Sequence, residues 1–279
     1  ANPRGPPALG GLQLRTVMAE YGTITTPGSP PLYGFSTGLP MHKHFISLER
    51  TPERTERFLK SNSHIADFEW MPGLDGKTLD RNAIISKGLM KADCGFKAGA
   101  IGSGLTHIKL WAQIAQSGKP AHIFEDDAFL CRNFEQESDR IIASLPHDWD
   151  IILWGNNYDS ILEFELLPGI TQCIAVFNQD TVRKGIPQYL NRDVSSAAFR
   201  LTQTFGVCGY ALSPKGAKRL LELCLPFQSV DVFYPGLGRA LTTSSVDHLM
   251  NIHYRHIKAY TALPPLCLTD NDVARSLNT

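Results

Sequence analysis

From Lys43 onward the chain switches repeatedly between short apolar runs and apolar positions at helical spacing. His44-Phe45-Ile46-Ser47-Leu48 predicts a buried strand, and Thr51-Pro52-Glu53 then supplies a cap, a first-turn proline and an early acid for a helix to about Lys60. Leu105, Ile108, Trp111, Ile114 and Ala115 share one helical face, and Gly118 closes that helix. Ala121-His122-Ile123-Phe124 is too short for a helix before the acids that follow it, whereas Ile141 and Ile142 resume helical spacing. Trp149 to Gly155 reads as a second buried strand ending at the polar turn Asn156-Asn157. Phe205 to Leu212 precedes Ser213-Pro214, which open a helix carrying Ala217, Leu220, Leu221 and Cys224. Strands alternating with helices predict an α/β domain with a largely parallel, doubly wound sheet and a site at the carboxyl ends of its strands.

Residues 1–40 differ in texture, being rich in Pro and Gly without a sustained apolar period, and are expected to form an irregular leader to a single domain over 41–279. No apolar run approaches the ~18 residues of a membrane span, and the start lacks the basic-then-apolar pattern of a signal peptide. A spanning anchor is therefore not expected. Twenty-seven basic residues balance twenty-seven acidic ones, with no like-charge block, which disfavours nucleic acid as a partner. The six cysteines are widely separated and form no CxxC pair, so buried reduced thiols and a reducing compartment are expected.

Three segments carry candidate chemistry. Glu125-Asp126-Asp127 stand at the exit of a hydrophobic strand, where adjacent carboxylates repel and a half-buried cluster needs a compensating cation. A hard divalent ion held by one or two carboxylates and a substrate's phosphates answers that need. In strand geometry Glu125 and Asp127 point to one side and Asp126 to the other. The same acids also suit a solvated turn and helix start. Gly99 to His107 is expected to be a glycine-dense turn opening a helix, which fits either close backbone approach to an anion or ribose, or tight packing. Ser245-Val246-Asp247-His248 offers a carboxylate base beside an imidazole, and Ser229-Val230-Asp231 repeats its first three residues.

Taken in order, these segments resemble glycosyltransferase family 25. Phe45-Ile46-Ser47-Leu48-Glu49-Arg50, with Arg54 and Arg57 beyond, is similar to the family's "ISLxR" strand. Gly99 to Gly102 through Leu105-Thr106-His107 and Trp111 resembles "GExGCxLSHxxxW", with Ser103 and Thr106 departing mildly from it. Ile123 to Ala128 resembles "xLEDDA", Gly209 to Ala217 resembles "GYxISxKGA", and Asp247-His248 resembles "VDH". The resemblance spans about Lys43 to Leu268. It implies a GT-A fold of Rossmann-like type, a UDP-sugar donor (galactose first, glucose second), Mn²⁺ or Mg²⁺, and a glycan acceptor. It further implies donor contacts from Arg50, Gly102, Thr106, His107, Glu125 and Asp126. Metal ligation is expected from Asp127, Glu125 and His248, and proton abstraction from Asp247 in an inverting transfer. Asp231 is the competing late acid, Arg50 equally suits a salt bridge, and His107 suits a structural helix histidine. The expected location is cytoplasmic and peripheral to an inner membrane, with a secretory-pathway lumen as the alternative. A non-catalytic binding module and a nucleotidyltransferase are the competing functions, the latter disfavoured because Glu49 to Arg54 lack the glycines of a triphosphate loop.

Overall fold

The computed structural model describes residues 41–271 together with Val17, which is buried in the main core cluster. The leader assigned to residues 1–40 otherwise lies outside the described residues. Strand β1 (His42–Ser47) leads into helix α1 (Pro52–Ser61), strand β2 (Phe68–Pro72), the short helix α2 (Arg81–Ser86) and the long helix α3 (Ala98–Ser117). Then come β3 (Ala121–Glu125), β4 (Ala128–Leu130), α4 (Phe134–Ser144), β5 (Ile151–Gly155), the hairpin of β6 (Ile161–Leu167) and β7 (Thr171–Val176), and α5 (Gln179–Tyr189). The chain continues through β8 (Ala197–Thr204), β9 (Gly209–Leu212), α6 (Pro214–Cys224), β10 (Asp231–Tyr234), β11 (Arg239–Thr242), α7 (Val246–His253), β12 (Ala259–Leu263) and β13 (Cys267–Thr269).

Period-two alternation between two covered faces explains why the central strands are largely apolar. Ile123, Ile151, Leu153, Tyr210 and Leu212 enter one core cluster with Leu105 and Ile108 of α3, Leu220 of α6 and Leu249 of α7. Their neighbours Phe124, Ile152, Trp154 and Ala211 face the opposite cluster, with Phe58 of α1 and Phe134 and Ile141 of α4. Both faces of the sheet are thus covered, and the positions of β3, β5 and β9 between them are apolar apart from the buried His122 and the Glu125, Gly209 and Gly155 ends. Pro52 opens α1 and Glu53 lies in its first turn, but the Thr51 hydroxyl makes no cap and instead donates to the Leu48 carbonyl at 3.2 Å.

The nine strands of the main sheet run in the order β2, β1, β3, β9, β5, β12, β8, β6, β7. The expectation of a mostly parallel sheet needs correction. Neighbours β1 and β2, β1 and β3, and β5 and β12 are parallel, while β9 pairs antiparallel with both β3 and β5, and β8 pairs antiparallel with both β12 and β6. β7 returns antiparallel on β6 at the edge. The reason is that β9 is inserted backwards between two strands that share a direction, while β6 lies between β7 and β8 and runs against both. Among the described residues no helix is long and apolar enough to cross a membrane.

Candidate active site

The carboxyl ends of β1 and β3 lie side by side, since Ile46 is in register with Glu125. This places the loop after β1 next to the acids. Asp126 is buried at 6% exposure, and its Oδ2 accepts the Ser47 hydroxyl at 2.7 Å. Its Oδ1 accepts Arg54 Nε at 2.8 Å and, more closely, the same guanidinium's Nη2. Burial opposes the charge on Arg54, but the Asp126, Asp127 and Glu125 carboxylates outweigh it and hold that guanidinium above its ordinary pKa. Arg54 is therefore the built-in cation of the cluster.

Asp127 is treated differently. Its Oδ1 is shielded from solvent and has no hydrogen-bond partner. Burial first, then the negative charges of Glu125 and Asp126, push its carboxyl up to about 7, with Arg54 opposing and Asp270 adding to the rise. Arg54 thus compensates Asp126 and leaves Asp127 short of positive charge. Glu125 is 32% exposed, and its Oε1 lies 3.6 Å from Nε2 of His107 on α3.

The glycine-dense segment is not a turn, because Gly99 to His107 lie inside α3. Gly102 and Thr106, expected at the donor, both take part in packing within the chain. A Cβ on Gly102 would fall 2.2 Å from the Leu74 carbonyl oxygen, so glycine lets the 74–76 backbone lie against the helix. Thr106 fastens that strap, its hydroxyl accepting Leu74 N–H at 2.9 Å and donating to the Gly102 carbonyl at 2.8 Å. Both residues are buried, as is His107. Arg50 forms the salt bridge that was its alternative role, donating to Asp75 at 2.6 Å on the exposed rim. That partner holds the Asp75 carboxyl below its usual range.

The second half of the site forms where α7 begins. Asp247 Oδ2 accepts the Gly206 N–H at 2.9 Å, and its Oδ1 accepts the Ser245 hydroxyl closely. Gly206 has φ +81, and a Cβ there would lie 2.2 Å from the Asn157 side chain, so only glycine permits this turn to offer its N–H. Asp247 and His248 line a cavity of about 390 Å³ with Asn157, Asp159, Phe177 and Arg239. His248 packs edge-on against Phe205 with ring centroids 5.1 Å apart, and its Nδ1 is buried without a partner. Asp231 sits elsewhere, exposed at the start of β10 and accepting the Thr242 hydroxyl at 2.5 Å.

One short segment joins the two halves. The Cys208 carbonyl accepts Glu125 N–H at 3.0 Å, and the Phe205 carbonyl accepts Asn157 N–H at 2.8 Å, next to the Gly206 that holds Asp247. A second bridge crosses the rim, where Arg57 pairs with Asp270 at 2.9 Å and Asn271 donates to Asp159 at 2.8 Å. Among the described residues no three His, Cys, Asp or Glu side chains converge to hold a metal, so the expected trio of Glu125, Asp127 and His248 is not assembled. The physical reason is placement: His248 faces Phe205 across the cavity, whereas Glu125 stands at the end of β3 beside His107. Arg54 and Tyr210 are participants without a site signal of their own in the sequence, because each meets its partner across a long separation in the chain.

The sheet thus carries an acidic loop at one strand end and, linked to it through residues 205–208, a cavity lined by an oriented carboxylate. The model of the family described as Glycosyltransferase family 25 (LPS biosynthesis protein) matches residues 41–234. The chain belongs to that family, which indicates glycosyltransferase activity with a sugar donor and an acceptor. No curated protein matches the chain.

Proposed function

We propose that this protein is an inverting, cation-dependent transferase of GT-A type that moves galactose, or in second place glucose, from a UDP-sugar to a glycan acceptor. The observation that carries this reading is the buried, unpartnered Asp127 Oδ1 beside Glu125, in a cluster where Arg54 compensates Asp126. Two carboxylates of this kind suit a hard divalent ion that takes its remaining ligands from water and a diphosphate. Asp127 and Glu125 would hold it. When bound, such an ion screens the negative charge that develops on the departing UDP.

The chain's own residues supply the rest. Arg54 and Ser47 fix Asp126 so that the loop keeps its shape as the neighbouring charges change. Asp247 is the base that takes the proton from the acceptor hydroxyl as that oxygen bonds to the anomeric carbon and UDP leaves from the opposite face. Gly206 N–H and the Ser245 hydroxyl hold its carboxylate facing the cavity, which receives the acceptor. The work is proposed to lie on the cytoplasmic side of an inner membrane, in lipopolysaccharide or related glycan assembly.

The test is release of UDP from UDP-galactose and UDP-glucose in the presence of Mn²⁺ and a lactosyl- or glucosyl-type acceptor. Asp127→Ala is expected to lower turnover by at least about 100-fold while circular dichroism stays that of the parent. Undiminished turnover in that folded variant would refute the assignment, and calorimetric binding of UDP by the parent without turnover would favour a non-catalytic module.

A further inference from the structure

We propose that His107 is a positioning residue for the acid loop, its Nε2–H orienting the Glu125 carboxylate through a buried relay that begins at Trp111 and passes through Tyr210. The proposal rests on the donor-site reading above and adds a role for residues outside the loop itself.

The relay follows from what each group can donate. Trp111 Nε1 is a donor only, and it lies 2.8 Å from the Tyr210 hydroxyl, which must accept from it. That same hydroxyl lies 2.8 Å from His107 Nδ1. Tyr210 is fully buried, and Nδ1 is the acceptor within reach of its O–H, so the phenol donates and Nδ1 accepts. In the neutral ring the proton then sits on Nε2. Nε2 is buried with no hydrogen-bond partner, and Glu125 Oε1 stands 3.6 Å away.

A histidine retained for packing would have both nitrogens satisfied or its unpaired one in solvent. His107 instead aims a fixed, water-excluded donor at a carboxylate that remains one-third open to the cleft. A small turn of the Glu125 side chain closes the bond, so the carboxylate is drawn towards α3 and held there. The arrangement has the logic of a partner behind a ligand, which sets the orientation of the group in front of it.

The experiment is calorimetric titration of UDP with Mn²⁺ into the full chain, set beside thermal melting. His107→Leu is expected to weaken binding about 10- to 100-fold. His107→Gln, which keeps an N–H near the position of Nε2, should recover most of that loss. In a Glu125→Gln background, removing His107 should cost nothing further, because its effect passes through Glu125. Equal losses in both backgrounds, or parental binding by folded His107→Leu, would overturn the proposal. Should His107→Leu fail to fold, Tyr210→Phe, which releases Nδ1, serves in the same comparison with the same outcomes. If Glu125→Gln and Asp127→Ala both bind UDP and Mn²⁺ as the parent does, the donor-site reading itself falls, a result distinct from failure of the relay alone.

Discussion

The three consecutive acids have three different fates. Asp126 is tied to Ser47 and Arg54, Asp127 keeps a shielded oxygen without a partner, and Glu125 is partly open beside His107. Their adjacency and charge could be read from the chain, and so could the need for a cation. That Arg54 meets part of this need could not, because it acts 72 positions away and a helix-start arginine has many ordinary uses. The two late acids separate at this scale as well. Asp247 is oriented by two donors and faces the cavity, whereas Asp231 is exposed on a hairpin. Asp247→Ala is accordingly expected to lower the rate of transfer by about 100-fold or more with UDP binding retained, and Asp231→Ala to change neither by more than about twofold. Comparing kcat with the calorimetric affinity for UDP checks this, and the reverse ranking would move the base to Asp231.

The elements most legible in the chain were those buried on both sides. Ile151 to Trp154 and Ile123-Phe124 announce themselves as continuous apolar runs because each face of the sheet carries helices. Strand direction was not legible, since β9 has the same apolar texture whichever way it runs and its orientation is decided by pairing with β3 and β5. The glycines before Thr106 suggested a turn, yet they are helical because the gain there is close contact with the 74–76 strap. Gly206 is the contrasting case, where backbone conformation itself demands glycine. Gly206→Ala should destabilise the fold by about 1–3 kcal/mol through left-handed strain and the clash with Asn157. It should also cut turnover more than the stability loss explains, since the turn supplies Asp247 with an N–H donor. Thermal melting and UDP release on the same sample check the pair; an alanine variant with parental activity would remove the turn from the mechanism.

For the molecule as a whole, buried histidines link the core to acidity. Burial, aided by the charge of Lys43, lowers His122 to about 3, and burial lowers His253 to about 4. Both folded values lie below the ordinary 6.5, so between that value and pH 4 the unfolded chain binds protons the folded one refuses. Stability contributed by the neutral rings is present above pH ~6.5 and declines as pH falls, by up to about 1.4 kcal/mol per unit for each ring. Asp127 acts in the opposite sense, because its raised value favours the folded state at low pH and costs stability as pH rises towards 7. His122→Gln, which keeps an acceptor for Trp154 Nε1, should flatten the fall in melting temperature between pH 6.5 and 4.5, and an unchanged slope would exclude His122 as its source. The backward-running β9 has a last consequence. Because the chain must enter it from the carboxyl edge of the sheet, residues 205–208 are delivered to the spot where they touch both Glu125 and the turn beneath Asp247. The acid loop and the Asp247 turn are thereby tethered to one stretch of backbone, so on the proposed reading a distortion at one can be transmitted to the other without any domain movement.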